Sequence, residues 1–129
     1  MSRRTIASGG AWEARGGYSR AVVVGDACWV AGTTDAGPDG RARHPDDVTA
    51  QALGAFEMIE AALSAAGFAL AEVVRTRAFV TDIDRAGEPY LAVHGRLFRT
   101  VHPAATLVEV ARLIDPSLLI EIEVEARHG

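Results

Sequence analysis

The sequence predicts an α+β domain in which two helices cover one face of a mixed β-sheet. Two observations carry this prediction. The secondary-structure signals run in the order β-β-β-α-β-α-β-β, and the last strand alternates apolar and charged residues almost without exception. The 129 residues are close to the usual size of one domain, so we expect a single domain over residues 1–129.

The first three strands are predicted from turn residues and β-formers. Residues 1–17 are rich in Gly and Ser, which indicates a short strand followed by a loop. Residues 20–24 and 27–31 consist largely of strand-forming residues and flank Gly25-Asp26. A two-residue turn signal between two such segments predicts a β-hairpin.

The first helix has the clearest pattern in the chain. Pro45 is expected at its first position, with Asp46 and Asp47 interacting favourably with the helix dipole. Gly67 is expected to end it. The apolar residues at helical spacing are Val48, Ala52, Ala55, Phe56, Ile59, Ala62, Leu63 and Ala66.

A strand over residues 73–81 and a second helix over residues 85–99 follow. Pro89 is expected in the first turn of this helix, because proline is tolerated there. Gly95 predicts a close packing contact, since glycine inside a helix is otherwise unfavourable. The inward positions are expected to be Tyr90, Val93, Leu97 and Phe98.

The last strand has two different faces. Its apolar face consists of Leu118, Ile120, Ile122, Val124 and Ala126. The other face consists of Leu119, Glu121, Glu123 and Glu125. The apolar face is expected to pack against the helices. Periodicity alone leaves open whether the second face is solvated or buried by a partner.

The composition excludes several classes of protein. Thirteen basic and seventeen acidic residues give a formal charge of −4, which argues against a nucleic-acid interface. The single cysteine, Cys28, permits no intrachain disulfide and is expected in the core. No apolar segment predicts a signal peptide or a membrane span, so we expect a cytoplasmic location. The dispersed histidines and the missing glycine fingerprints predict neither a metal nor a cofactor.

Residues 103–113 and 120–123 resemble the closing hairpin of the RidA/YjgF (Rid) family. Further matches in the same order lie at residues 29–33, 51–53, 65–68, 73–76 and 79–82. The resemblance implies a chorismate-mutase-like fold of the bacillus type, assembled as a homotrimer with clefts at the subunit interfaces. An apolar sheet face that includes Leu107 and Leu119 is consistent with such an assembly.

The resemblance also implies site residues. Tyr18 matches a tyrosine that lines the family's cleft, and Glu121 matches a glutamate that positions a catalytic water. Thr106 lies beside Ala105, where active imine deaminases of the family carry a carboxylate-binding arginine. The chain therefore resembles a subgroup that lacks this arginine, and an alanine cannot replace its bidentate contact. Glu121 and Thr106 are the candidate catalytic residues.

Three further residues are candidates for ligand binding beside Tyr18 and Ala105. Arg20 and Arg77 could each supply a substitute cation, and Trp12 could add a second aromatic wall. Each candidate also has a simpler interpretation: Glu121 as part of a solvated acidic face, and the two aromatic residues as surface covers. With no arginine at position 105, the cleft is expected to favour neutral or cationic ligands.

The resemblance implies a trimer that binds a small-molecule ligand. It predicts cofactor-free hydrolysis of enamines or imines other than small 2-imino acids. The alternative is a non-catalytic ligand-binding or regulatory module. An endoribonuclease or translation inhibitor is the third choice, because the acidic chain lacks a basic stripe.

Overall fold

The computed structural model describes residues 2–129 and confirms the α+β prediction. The strands are β1 (Arg3–Ile6), β2 (Ala21–Val24), β3 (Ala27–Thr33), β4 (Val73–Val80), β5 (Ala104–Glu109) and β6 (Ile120–Arg127). The helices are α1 (Ala11–Gly16), α2 (Val48–Ala65) and α3 (Ile83–Leu97), with a 3₁₀ turn at Leu70–Glu72. The six strands form one sheet in the order β1-β2-β3-β6-β4-β5. Strand β5 runs parallel to β4, and the other neighbouring strands are antiparallel. Among residues 2–129, no helix is both long and apolar enough to cross a membrane.

The N-terminal region contains the predicted hairpin and an additional helix. Strands β2 and β3 pair around Gly25, as expected. The loop expected before them is partly wrong, because residues 11–16 form α1. Gly17 ends this helix with a φ of 69°, and the Glu13 carboxylate accepts a hydrogen bond of 3.0 Å from the Ser8 backbone nitrogen. A helix of one and a half turns is too short to produce a recognisable period.

Helix α2 begins three residues later than predicted. Asp47 is its N-cap, and the Asp47 carboxylate accepts a hydrogen bond of 3.0 Å from the Ala50 backbone nitrogen. Asp46 has a φ of 62°, so Pro45 lies outside the helix and not at its first position. The predicted stop is confirmed: the helix ends at Ala65, and Gly67 has a φ of 85°.

Helix α3 begins two residues earlier than predicted. Its N-cap is Asp82, whose carboxylate accepts a hydrogen bond of 3.2 Å from the Arg85 backbone nitrogen. Pro89 therefore lies in the second turn and not in the first. The predicted close contact at Gly95 is wrong, since a Cβ atom there would meet nothing within 4 Å.

The core lies between the sheet and the two long helices. The alternation predicted for the last strand is confirmed: Ile120, Ile122 and Val124 are buried against α2, and Glu121 and Glu123 lie on the other side. This second side is the open face of the sheet. Leu107 does not belong to it, because its partner in the ladder is buried Ala78, so it packs against the core with Leu119. The exposed apolar side chains of the open face include Trp29 and Val108.

Two buried polar side chains fix the loops around α2. Gln51 is fully buried, and its amide binds the backbone oxygens of His44 and Ser117 at 3.1 and 2.9 Å. Asp35 is 1% exposed and accepts a hydrogen bond of 2.8 Å from the His44 backbone nitrogen. Its carboxylate lies against Gly54, where a Cβ would be 2.2 Å from Oδ1. These contacts hold the segment that follows β3 in place.

Candidate functional site

Glu121 lies in the middle of the open face, on the central strand β6. Its carboxylate rests against Gly32 of β3, where a Cβ atom would lie only 2.5 Å from Oε2. On the other side its partner in the ladder is Phe79 of β4. Burial raises the pKa of Glu121 above its ordinary value, the positive charge of Arg20 opposes this rise, and the charge of Glu123 adds to it. The result is a half-buried carboxylate that can hold and release a proton.

Arg20 lies immediately before β2 and extends over the same face. One of its terminal nitrogens, Nη2, donates a hydrogen bond of 2.8 Å to the Gly32 backbone oxygen. Its Nε is buried and has no hydrogen-bond partner among residues 2–129. Arg20 and Glu121 therefore lie on either side of Gly32, and no carboxylate in the described part of the chain is within ion-pair distance of Arg20.

Arg77 is the other candidate to replace the missing arginine, but its charge is already neutralised by two carboxylates. Its Nη1 lies 3.0 Å from a carboxylate oxygen of Glu125 and 3.3 Å from one of Glu123. The hydrogen bond to Glu125 is the main reason why the pKa of Arg77 is raised. A guanidinium paired with two carboxylates is a poor site for an additional anion.

Thr106 lies on the open face but away from Glu121. Its hydroxyl accepts a hydrogen bond of 2.6 Å from Nη2 of Arg75. In the ladder Thr106 is level with Arg77, whereas Glu121 is level with Phe79 two residues further along and two strands away. Standard strand spacings place their Cα atoms about 12 Å apart. Within one chain, Thr106 and Glu121 are therefore too far apart to act on the same atom of a substrate.

Ala105 faces the opposite side of the sheet. Its partner in the ladder is Thr76, which is fully buried beneath the helices. Paired residues of parallel strands share a face, so the side chain at position 105 lies on the helix side, near the edge of the sheet. Ala105 is exposed there. Residue 105, where the family resemblance predicts a missing arginine, and Glu121 lie on opposite faces of the sheet, so they cannot contact the same ligand within one chain.

The two N-terminal aromatic candidates are separated from each other. The Tyr18 ring packs against Gly16, where a Cβ would lie 2.9 Å from its Cδ1 atom. Tyr18 borders a cavity of about 430 Å³ on the open face, whose walls also include Trp29, Arg77 and Glu123. Trp12 is not part of this wall; it is half exposed, and Arg15 of the same helix lies 4.9 Å above its ring.

Two residues of this face were missed by the sequence analysis. Gly32 provides the space that the Glu121 carboxylate occupies, and Trp29 is the exposed aromatic side chain of β3. The alternation of β3 could have revealed Trp29, because its neighbours Cys28 and Val30 are buried. Gly32 gave no such signal, since the contact depends on how β3 and β6 are paired.

Other chemistry-bearing residues have structural roles. Cys28 is fully buried and burial raises the pKa of its thiol, as expected for a core residue. His94 is bonded to the Thr76 hydroxyl at 2.8 Å, and burial lowers its pKa. Within residues 2–129, no three His, Cys, Asp or Glu residues are grouped so that they could hold a metal ion.

Comparison with known proteins identifies the family. The model of the endoribonuclease L-PSP family matches residues 9–128. The chain belongs to this family, which includes the RidA/YjgF proteins. One relative, the 2-iminobutanoate/2-iminopropanoate deaminase of Escherichia coli, is 32% identical over 129 residues, covering 95% of this chain and 94% of the relative. A RutC family protein of Saccharolobus solfataricus is 34% identical over 114 residues, covering 88% of this chain and 89% of that protein.

Solved structures of similar proteins agree with the fold. A Mycobacterium tuberculosis member of the YjgF/YER057c/UK114 family superposes with a TM-score of 0.89 at 45% identity, covering 98% of this chain and all of that one. A Thermotoga maritima protein named as an endoribonuclease gives a TM-score of 0.86 at 32% identity, covering all of this chain and 99% of that one. The predicted family and fold are confirmed. Membership of a subgroup without the arginine stays a prediction.

Proposed function

We propose that this Rid-family protein is a cofactor-free hydrolytic deaminase of enamines or imines, with a substrate other than the small 2-imino acids. The observation that carries the proposal is the Glu121 carboxylate, half-buried between Gly32 and Phe79 with a raised pKa. A carboxylate in such a setting can orient a water molecule and accept its proton.

The chemistry requires only water and proton transfer. The water oxygen adds to the imine carbon while Glu121 accepts a proton from the water, and the nitrogen takes up a proton from solvent to give a carbinolamine. Glu121 then donates its proton to the amino nitrogen, the carbon–nitrogen bond breaks, and the carbinol hydroxyl proton is released to solvent, which replaces the one taken up. Ammonia and a carbonyl compound are released. An enamine enters the same sequence after protonation at carbon, which converts it to the imine.

The proposed site is completed by a second copy of the chain. Ala105 and Glu121 face opposite sides of the sheet, so a cleft that uses both positions must combine residues from two chains. The exposed Trp29 and Val108 give the open face an apolar component that association can cover. A homotrimer is typical of the family, and we propose it here. Light scattering at micromolar concentration should give three times the chain mass of 13.6 kDa, whereas a monomer mass would contradict the proposal.

The activity is tested by ammonia release from imines formed in the assay from amines by a coupled oxidase. We expect hydrolysis above the spontaneous rate for imines other than 2-iminopropanoate and 2-iminobutanoate, and loss of that rate in Glu121→Gln. Ala105→Arg should raise the rate with the two small 2-imino acids. A wild-type rate on these acids equal to that of the Escherichia coli relative would show that position 105 is not needed. Ligand binding with no turnover of any imine would favour the alternative binding module.

We do not propose that this chain is an endoribonuclease, although the matching family model carries that name. The open face carries an acidic row, Glu121, Glu123 and Glu125, and the Arg77 beside it is neutralised by two of these residues. Binding of RNA requires free cations that replace counterions of the phosphates. RNA cleavage that disappears in Glu121→Gln would overturn this choice.

A further inference from the structure

A further cavity lies on the helix side of the sheet, where α3 ends and the chain turns back towards β5. Its volume is about 430 Å³, which is in the range of small-molecule binding sites. Its wall includes side chains from the end of α3 and from the connection that follows: His94, Phe98, Arg99, His102 and Pro103. Neither Ala105 nor Glu121 lines it, so the cavity is separate from the residues of the proposed catalytic cleft.

Only one ring nitrogen of His94 is used by the fold. Its Nε2 lies 2.8 Å from the hydroxyl of Thr76, a fully buried residue. Its Nδ1 has no partner among residues 2–129 and is not one of their buried atoms without partners, so this nitrogen is open to the cavity that the ring lines. Burial lowers the pKa of His94, which favours the neutral ring.

The neutral ring carries its hydrogen on Nδ1. The Thr76 hydroxyl is buried and its single hydrogen needs an acceptor, which Nε2 of His94 provides. A ring nitrogen that accepts this bond has no hydrogen of its own, so the hydrogen of the imidazole lies on Nδ1. Nδ1 is therefore a hydrogen-bond donor towards the cavity.

The other polar side chains of the wall add positive charge and further donors. Arg99 and His102 are exposed, and neither takes part in an ion pair within residues 2–129. No carboxylate of the described residues lines the cavity. The negative end of the α3 dipole lies nearby, and Arg96 and Arg99 at this end offset it. The wall therefore favours an anionic ligand.

The backbone restricts where the His102 side chain can lie. Its φ is 52°, in the left-handed region that residues other than glycine seldom adopt. The backbone nitrogens of Val101 and His102 both donate hydrogen bonds of 3.0 Å to the Phe98 oxygen, which holds the turn closed. Backbone strain of this kind persists where the surrounding structure enforces it, and it is concentrated at functional sites.

We propose that this cavity binds a small phosphate monoester, whose phosphate is held by His94, Arg99 and His102. Three donors match the three terminal oxygens of a phosphate monoester, whereas a carboxylate has only two oxygens. The cavity is larger than a phosphate group, and the organic part of the ligand would lie beside Phe98 and Pro103. The inference goes beyond the proposed function, because it assigns a second ligand class to a second place and involves no reaction.

The test compares three compounds that share one alkyl chain: butyl phosphate, butanoate and butan-1-ol. In isothermal titration calorimetry on the assembled protein, we expect butyl phosphate to bind at least about tenfold more tightly than butanoate, and the alcohol to give no signal. Arg99→Gln and His102→Gln should each weaken the binding of butyl phosphate about tenfold. Both residues are exposed, so the variants should fold.

Arg96→Gln is the matched control. It removes the same charge from the last turn of α3 as Arg99→Gln removes from the residue after the cap, but Arg96 does not line the cavity. Its effect should be limited to screened attraction, and we expect the affinity for butyl phosphate to stay within about twofold of the wild type.

Nitrogen-15 NMR of the imidazole rings tests the donor assigned to His94. The free protein should carry the His94 hydrogen on Nδ1, and butyl phosphate should shift this nitrogen and those of His102. His44 should not shift, because it is bonded to Asp35 and lies near the start of α3, at the other end of the helix.

The possible results separate the proposal from its alternatives. If butyl phosphate does not bind at millimolar concentration, or binds no better than butanoate, the phosphate class is wrong. Equal losses in Arg96→Gln and Arg99→Gln would show general attraction and no site. Loss of binding in Arg77→Gln with none in His102→Gln would place the ligand on the open face. A hydrogen on Nε2 of His94 would overturn the role given to that ring. All of these results are independent of whether the protein hydrolyses an imine.

Discussion

Replacement of Gly32 by alanine should move the Glu121 carboxylate while leaving the stability of the fold nearly unchanged. The added Cβ would lie 2.5 Å from Oε2 of Glu121, 3.1 Å from Cδ and 3.4 Å from Cγ. The nearest of these atoms is the end of a flexible side chain, so the side chain can retreat and the backbone can stay. Restoring an ordinary contact moves the carboxylate by about 1 Å.

We expect Gly32→Ala to change the free energy of unfolding only slightly and to lower kcat strongly. The loss of glycine from a strand should contribute about 0.5–1 kcal/mol of stability, which offsets the cost of moving Glu121. We therefore expect the free energy of unfolding of Gly32→Ala to stay within about 1 kcal/mol of the wild type. A catalytic group displaced by about 1 Å can lose about a hundredfold in rate, and kcat for imine hydrolysis should fall by that order.

The matched control for this variant is Gly95→Ala. A Cβ at residue 95 meets nothing within 4 Å, so this helix position should gain about 1 kcal/mol without any effect on kcat. The assays are urea unfolding and ammonia release, both on the assembled protein. Wild-type kcat in Gly32→Ala would refute the argument that Gly32 provides the space for the Glu121 carboxylate. A loss of several kcal/mol would show that the backbone, and not Glu121, moves.

Three further changes test other parts of the structure. Gly54→Ala should destabilise the fold by about 1–3 kcal/mol in urea unfolding, because its Cβ would lie 2.2 Å from the Oδ1 atom of buried Asp35; an unchanged midpoint would contradict this packing. Tyr90→Phe should unfold at an equal or higher temperature, since the buried Tyr90 hydroxyl has no hydrogen bond of ordinary geometry within residues 2–129, and burial raises its pKa to about 12 against a smaller opposing effect of Thr76; a large loss of stability would show that the contact with Thr76 is a stabilising hydrogen bond. Glu121→Gln should raise the free energy of unfolding at pH 7, because the folded state disfavours the charged form of a carboxyl whose pKa is raised. This advantage should shrink as the pH falls through the raised pKa towards the ordinary value of 4.5, and a pH-independent difference would contradict it.

The parts of the fold with a strong period could be predicted from the sequence. The alternation of β6 and the apolar stripe of α2 reflect burial on one side, which the amino-acid pattern records directly. The helix ends were predicted less accurately. Neighbouring residues could also have served as N-caps, and the backbone conformation determines that Asp47 and Asp82 do so. The α1 helix gave no periodic signal.

The candidate site was predictable only in part. Glu121 and Arg20 could be named from the sequence, but their common contact with Gly32 depends on strand pairing. The register also determines that Thr106 lies level with Arg77 and that Ala105 faces the helices. A shift of one residue in β5 would exchange the faces of positions 105 and 106, and no local pattern in this short edge strand specifies which face they take.

The open face of the sheet is proposed to serve both the assembly and the chemistry, and this would limit how its charges can be arranged. Glu123 and Glu125 are bound by Arg77, which lets carboxylates lie on a surface that association is proposed to cover. Glu121 has no such ion pair within residues 2–129, and Arg20 is bound to the backbone and not to a carboxylate. The Glu121 carboxylate and the Arg20 guanidinium therefore lie beside Gly32 without a direct ion pair, while Glu123 and Glu125 are neutralised by Arg77. The charge of Arg20 offsets only part of the effect of burial on Glu121, so the carboxylate proposed to transfer protons is the one of this acidic row whose pKa stays raised.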